Sequence, residues 1–269
     1  MNFYRNLILA TLMLTFGVVS LGAYVRLSDA GLGCPDWPGC YGKITPKHAA
    51  EHIEAELAAS PDGPVSHAKA WKEMVHRYFA GALGLLVLAI AVLAWRQRRD
   101  TRGGPMLPTL LFGLIVFQAL LGMWTVTLLL KPVVVTAHLL GGMATLALLL
   151  WLWLRERGVA TQAYYARVEH LRGPATLALV LVAAQIALGG WVSTNYAALA
   201  CTDFPLCQGQ WVPQGMDFEH AFTLRRELGQ TASGELLSLG ALTAIHWVHR
   251  AMALIVFVYV GWLAIRLLR

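Results

Sequence analysis

Charge is scarce in this sequence. Asp, Glu, Lys and Arg make up 13% of its 269 residues, against about 25% in a soluble domain. Hydrophobic residues make up 57%. They gather in runs of roughly 20, the length that spans a hydrocarbon core, so the chain reads as a membrane protein rather than one or two soluble domains. The formal net charge of +6 does not mark a nucleic-acid binder. Its Lys and Arg sit in short clusters between apolar runs, as in the cytoplasmic loops of membrane proteins. A Cys-x-x-Cys-His sequence is also missing, which excludes covalent c-type haem attachment. The two Cys-x5-Cys pairs lack the further ligands of a zinc motif. No convincing A-x-A site marks the end of the first apolar run, which therefore reads as a retained helix and not a signal peptide.

Six runs are present, at Leu7–Val25, Met74–Trp95, Leu107–Leu130, Val133–Leu154, Ala175–Ser193 and Leu242–Leu268. They predict an all-α, polytopic membrane helix bundle with six transmembrane helices. Arg96, Arg98, Arg99 and Arg102 follow the second run, Arg155, Arg157, Arg167 and Arg172 the fourth, and Arg266 and Arg269 the last. The positive-inside rule puts these segments, and with them the N-terminus, in the cytoplasm. The long loops Arg26–Glu73 and Thr194–Ala241 then lie outside, as does the tight turn Lys131–Pro132.

The sequence repeats itself. A shift of 167 residues lays Gly22–Gly42 on Gly189–Gly209 and aligns Gly22 with Gly189, Cys34 with Cys201, Asp36 with Asp203, Pro38 with Pro205, Cys40 with Cys207 and Gly42 with Gly209. Downstream, Met74–Arg77 pairs with Trp247–Arg250. Both copies enter the membrane from the same side, a parallel repeat. A shorter echo joins the odd-numbered runs, each with Leu-Gly-x-aromatic near its outer end: Leu21–Tyr24, Leu121–Trp124 and Leu188–Trp191. The even-numbered runs each carry a histidine near the outer end: His76, His138 and His249. The ancestral unit is thus a two-helix hairpin. Residues 1–157 make a complete four-helix half, and residues 158–269 a partial second half of two helices and a long loop.

Ionisable groups inside a bilayer are costly and are functional candidates by default. His76 falls in the first turn of its apolar run, and His138 lies about 7 Å beyond Val133, where its own run enters, by helical rise, so both fall in the outer part of the membrane. Neutral imidazole is a standard axial ligand of haem iron, and bundle cores are standard places to hold it. A histidine repeated at similar depth on alternate helices points to haem, where a single one would point to a hydrogen bond between helices. Glu73 shares a helix face with His76, fit either to move protons at the mouth of a haem pocket or to sit as a solvated charge favoured by the helix N-terminus. His246 takes its place in the second half, so the halves have diverged and only one is expected to be catalytic. Arg77 and Arg250 either bind haem propionates or snorkel to the interface. The cysteines either form structural disulfides, expected within each loop as Cys34–Cys40 and Cys201–Cys207, or act as redox-active thiols. His48 and His52, on the amphipathic stretch Lys47–Leu57, and His67, His170 and His220 are given no role.

The segments GAYVRLSDAGLGCPDWPGCYG, EMVHR, AHLLGG (Ala137–Gly142) and IHWVHR (Ile245–Arg250) resemble haem A synthase, and the resemblance covers the whole chain. It implies an enzyme of the bacterial plasma membrane that oxidises a methyl group of haem O to the formyl group of haem A. Glu73, His76 and His138 would carry the substrate site beneath the loop of Cys34 and Cys40, and His249 would be one ligand of a haem b cofactor. Expected partners are haem O, the lipid bilayer, the enzyme that produces haem O and an electron acceptor. The family has eight helices, so the resemblance also implies a chain cut short after the sixth. Two other readings compete: a membrane b-type cytochrome that passes electrons to a partner, and a membrane thiol–disulfide oxidoreductase.

Overall fold

Peptide groups in hydrocarbon must be satisfied within their own segment, and a helix does this. In the computed structural model each of the six apolar runs is helical, and residues 2–99, 101–158 and 168–268 are described. The helices long and apolar enough to cross a membrane are α1 (Asn2–Leu27), α3 (His67–Arg96), α4 (Met106–Thr127), α5 (Pro132–Arg157), α6 (Arg172–Thr194), entered through a short 3-10 turn at Glu169–Leu171, and α8 (Leu239–Leu268). Two short helices, α2 (Ala50–Ala59) and α7 (Phe218–Ala221), lie in the long loops. No strand occurs among the described residues, only isolated bridges. The protein is an all-α, multi-pass membrane bundle. Of the arginines used to orient it, Arg167 and Arg269 lie outside the described residues.

One boundary differs in a way that matters. The apolar pattern places the start of the second span at Met74, with His76 in its first turn. The helix begins at His67 instead, two turns earlier, because Ser66 caps it by accepting a hydrogen bond from the Lys69 N–H at 3.3 Å. Ser at this position satisfies one of the donors that a helix start leaves open. Trp71, Lys72 and Glu73 are helical but not uniformly apolar, so the hydrophobic run begins late. His76 therefore sits in the third turn.

The chain divides into two compact units, Met1–Leu130 with Gly141–Ala160, and Lys131–Leu140 with Thr161–Arg269. In the first, α1 packs on α3 and α3 on α4. The buried face of α1 runs Tyr4, Ile8, Thr11, Thr15, Val18, Val25, a heptad-like seam in which Gly22 fills the empty step. The facing seam of α3 runs Leu83, Val87, Ile90, Ala94, and one heptad earlier it reaches His76. Thr11 and Thr15 are buried, and each hydroxyl bonds back to the carbonyl four residues earlier, at 2.8 Å and 2.7 Å, which satisfies it without a partner helix. The first long loop has its own small core of Cys34, Cys40, Ala49, Ile53, Val65, Ala70 and Met74, with Ile53 of α2 fully buried.

In the second unit α6 packs on α8 around Trp191, Val192, Ala241, Ala244 and Ile245. Its loop is tied down by Trp191 Nε1 donating to Ala221 O at 2.8 Å and by a Lys131–Glu227 ion pair at 2.8 Å. Replacing Ser66 with Ala is expected to cost about 1 kcal/mol of local stability at the start of α3. Hydrogen exchange should quicken over residues 67–70 and remain unchanged from Leu83 onward.

Candidate functional site: two loop-capped histidines

Each unit folds its cysteine loop over the N-terminal part of a histidine-bearing helix, and the local order is the same in both. The loop closes with a four-residue turn. In the first unit Cys40 and Lys43 exchange backbone hydrogen bonds at 2.9 Å and 3.0 Å, and in the second Cys207 and Gln210 do so at 2.9 Å and 3.1 Å. The central residues all have positive φ, at 51° and 68° for Tyr41 and Gly42 and 54° and 74° for Gln208 and Gly209. Such a turn wants glycine, which accounts for the match of Gly42 with Gly209. An aspartate then gathers the two central N–H groups. Asp36 accepts from Tyr41 and Gly42 at 2.6 Å and 2.7 Å, and Asp203 from Gln208 and Gly209 at 2.7 Å and 2.8 Å. Disulfides Cys34–Cys40 and Cys201–Cys207 close the loops, and all four sulfurs are buried.

An arginine fastens each loop to its helix. Arg77 donates to Asp36 O at 2.7 Å and Gly39 O at 2.6 Å. Arg250 donates to Asp203 O at 2.6 Å, Leu206 O at 2.8 Å and Cys201 O at 2.9 Å. Both guanidinium groups are engaged with loop carbonyls. One turn earlier on each helix an acceptor completes the fastening. Glu73 is 4% exposed, accepts from the Cys34 N–H at 2.9 Å and pairs with Arg77. His246 stands in its place, with the Cys201 N–H 3.3 Å from Nδ1 and Arg250 Nε 3.1 Å from Nε2. A neutral imidazole has a single free lone pair, so it accepts from only one of those two donors. Glu73 is thus no solvated end-of-helix charge, and His246 is turned toward its loop.

Below the fastening lies the histidine. His76 meets α1 at Gly22, where an added Cβ would stand 2.9 Å from Cε1, and its Nδ1 is buried with no protein partner. His249 meets α6 at Gly189 in the same way, with an added Cβ 3.1 Å from Cε1, and Gln185 Nε2 lies 3.1 Å from its Nδ1. The aligned glycines are therefore the places where a neighbouring helix yields room to an imidazole, as small residues do between membrane helices. His138 is half-buried on the part of α5 that belongs to the second unit. Gly141, a turn further on, faces the Gln118 side chain so closely that a Cβ there would overlap it. The histidines given no role are engaged locally: His48 with Thr45 at 2.7 Å, His52 stacked on Tyr41, His67 with Glu54 at 3.5 Å and His220 with Asp217 at 2.7 Å. His170 lies in the 3-10 turn before α6.

A repeated disulfide loop, pinned by arginine over a helix histidine, is a specific arrangement, and a family model described as cytochrome oxidase assembly protein, COX15-CtaA, matches residues 5–269. The chain belongs to this family. Three similar proteins are called heme A synthase. That of Shewanella oneidensis is 47% identical over 251 residues, covering 91% of this chain and 73% of the relative. That of Halalkalibacterium halodurans is 28% identical over 242 residues, covering 87% and 72%. That of Shouchella clausii is 28% identical over 234 residues, covering 86% and 71%.

The aspartate at the turn makes a pH prediction for this COX15-CtaA member. The N–H groups of Gly209 and then Gln208, with Arg250 nearby, hold the Asp203 carboxyl below its usual range. A lowered carboxyl adds stability that is complete above its ordinary pKa and is lost as pH falls through the lowered value. Acidification from neutrality to about pH 4, the ordinary aspartate value, is expected to leave the Gln208 and Gly209 amides slow to exchange. Further acidification should release them, and in Asp203→Ala they should be fast throughout.

Proposed function

We propose that the protein is a membrane haem A synthase, which oxidises a methyl group of haem O to the formyl group of haem A. The observation that carries this reading is the 47% identity to a heme A synthase over 91% of the chain, joined to the two loop-capped histidines. Converting a methyl to a formyl group removes two hydrogens and adds one oxygen, a four-electron oxidation, so the reaction needs a place to hold the ring and a route for protons and electrons.

The first half, residues 1–157, is assigned to the substrate. His76 and His138 would hold the iron of haem O, and Gly22 would leave His76 room at the α1 wall. Glu73 and the loop of Cys34 and Cys40 would cover the ring on the loop side. A buried carboxylate paired with Arg77 is suited to hold or release a proton as Arg77 shifts between it and the loop carbonyls, and that is the role assigned to Glu73. The second half, residues 158–269, is assigned to haem b. The residues fit one ligand: His249 is a helix imidazole, lodged where Gly189 leaves space, with Gln185 beside it to fix the ring. A haem b bound there supplies reversible one-electron transfer. His246 is occupied by its loop and is a poor choice for a second ligand.

The difference between the halves supports an enzyme over a plain b-type cytochrome, since a carrier gains nothing from a buried carboxylate in one copy alone. Burial of all four sulfurs in disulfides supports a structural role over thiol–disulfide exchange. The N-terminus and the arginine clusters are assigned to the cytoplasmic side of a bacterial plasma membrane and the disulfide loops to the outside. The enzyme that makes haem O and an electron acceptor complete the expected partners.

Pigment analysis of cells carrying the gene tests the reading, with conversion of haem O to haem A as the expected result. Its absence, with haem still bound by the purified protein, would favour the cytochrome. His76→Ala and His138→Ala should abolish conversion, and Gly22→Val should do the same by driving a branched side chain into the His76 ring. His249→Ala should lower the Soret absorbance of the second half. Glu73→Ala should keep haem binding and slow oxidation. Full haem content and full activity in both His76→Ala and His138→Ala would show that these residues only pack.

A further inference from the structure

Directly after each turn the loop turns an apolar side chain outward. Ile44 is 80% exposed and Trp211 is 73% exposed, and the two are equivalent under the 167-residue shift. Both copies thus leave a large apolar group open at the same position of the loop. Both are held in place through their own backbone. The Tyr78 hydroxyl donates to Ile44 O at 2.5 Å, and Trp247 Nε1 donates to Trp211 O at 2.7 Å. The donors are not equivalent positions, yet they hold equivalent carbonyls, which shows that the level of that carbonyl is kept while the means differ.

Two geometric facts say what lies against these side chains. The first is direction. Tyr78 is two residues after His76, and Trp247 two residues before His249. At about 100° per residue, each donor lies roughly 160° around its helix from the histidine. Ile44 and Trp211 therefore flank the helix on the side turned away from the imidazole. The second is depth. Tyr78 opens the stretch Tyr78–Trp95, which carries no Asp, Glu, Lys or Arg, and Trp247 is flanked by Leu239–Val248 and Ala251–Ile265, which carry none either. Tyrosine and tryptophan with an apolar body and a bonded polar tip are the residues that settle at a membrane–water boundary. Tyr78 is itself exposed on the helix, beside exposed Phe79. A carbonyl tethered there is held at the level where the uncharged stretch of the helix begins.

We propose that the two disulfide loops are seated in the lipid headgroup layer, with Ile44 and Trp211 inserted between phospholipids on the outward sides of α3 and α8. The occupant is phospholipid because the exposed side chains continue the lipid-facing surface of spanning helices. Lys43, next to Ile44 and exposed, is placed to meet a phosphate. The insertion pins, from the lipid side, the same loop that Arg77 or Arg250 fastens from the helix side.

The test uses the full chain in phosphatidylcholine–phosphatidylglycerol nanodiscs. Because all four native cysteines are paired, Ile44→Cys or Trp211→Cys supplies a single thiol for an NBD fluorophore. Ser60→Cys and Ser233→Cys, exposed in the same long loops, are the controls. A nitroxide carried near the top of the acyl chain should quench labels at 44 and 211 several-fold more than the controls, and aqueous iodide should do the reverse. A second measurement needs no substitution. In hydroxyl-radical footprinting of the unaltered protein, Trp211 should be modified more slowly than Leu236, which is 86% exposed, despite the greater intrinsic reactivity of indole. Iodide quenching at 44 and 211 equal to the controls, with fast Trp211 oxidation, would overturn the proposal by placing the loops in water. Protection from both quenchers would overturn it in favour of a protein cover.

Discussion

Irregular backbone beside a bilayer must find partners for its own peptide groups, and in this protein one arginine per unit does most of that. Arg77 collects the carbonyls of Asp36 and Gly39, and Arg250 those of Asp203, Leu206 and Cys201. The aspartates collect the N–H groups that the turn leaves over. The disulfide then has little to do beyond closing a ring that is already satisfied. Remove the arginine, and several loop carbonyls lose their donors at once. Because Arg77 also pairs with the buried Glu73, the same side chain ties the loop to the carboxylate on its helix.

This dependence explains why the arginine follows the histidine directly. One residue turns the helix by about 100°, so the guanidinium points up and aside into the loop while the imidazole points across to the neighbouring helix. A chain that kept the pair but changed its spacing would aim one of the two at lipid. The glycine opposite, Gly22 or Gly189, belongs to the same arrangement: it lets the imidazole and the adjoining helix approach without displacing the arginine from its carbonyls.

The six spans were legible because hydrophobic runs announce themselves in composition alone. The start of α3 was not, since Trp71, Lys72 and Glu73 break the apolar pattern and the capping Ser66 lies outside it. The roles of Arg77 and Arg250 were hidden for another reason. Their partners are main-chain carbonyls, which have no signature in the sequence, so the arginines read as propionate ligands or interface anchors. Asp36 and Asp203 were visible as matched positions but not as turn caps. In each case the repeat flagged the residue, while the chemistry waited on knowing which backbone groups stood nearby.

Where the two loops part company is at Glu73 and His246. A carboxylate has two oxygens and can serve the cysteine N–H and the arginine together. An imidazole facing the same two donors can answer only one of them. The duplicated hairpins thus share a plan but not a closure, and the copy that traded its carboxylate for a ring carries one donor too many. Duplication has left two lids on one blueprint, one whose helix acceptor answers both donors and one whose acceptor answers a single donor, so the second leans more heavily on the three carbonyls that Arg250 holds.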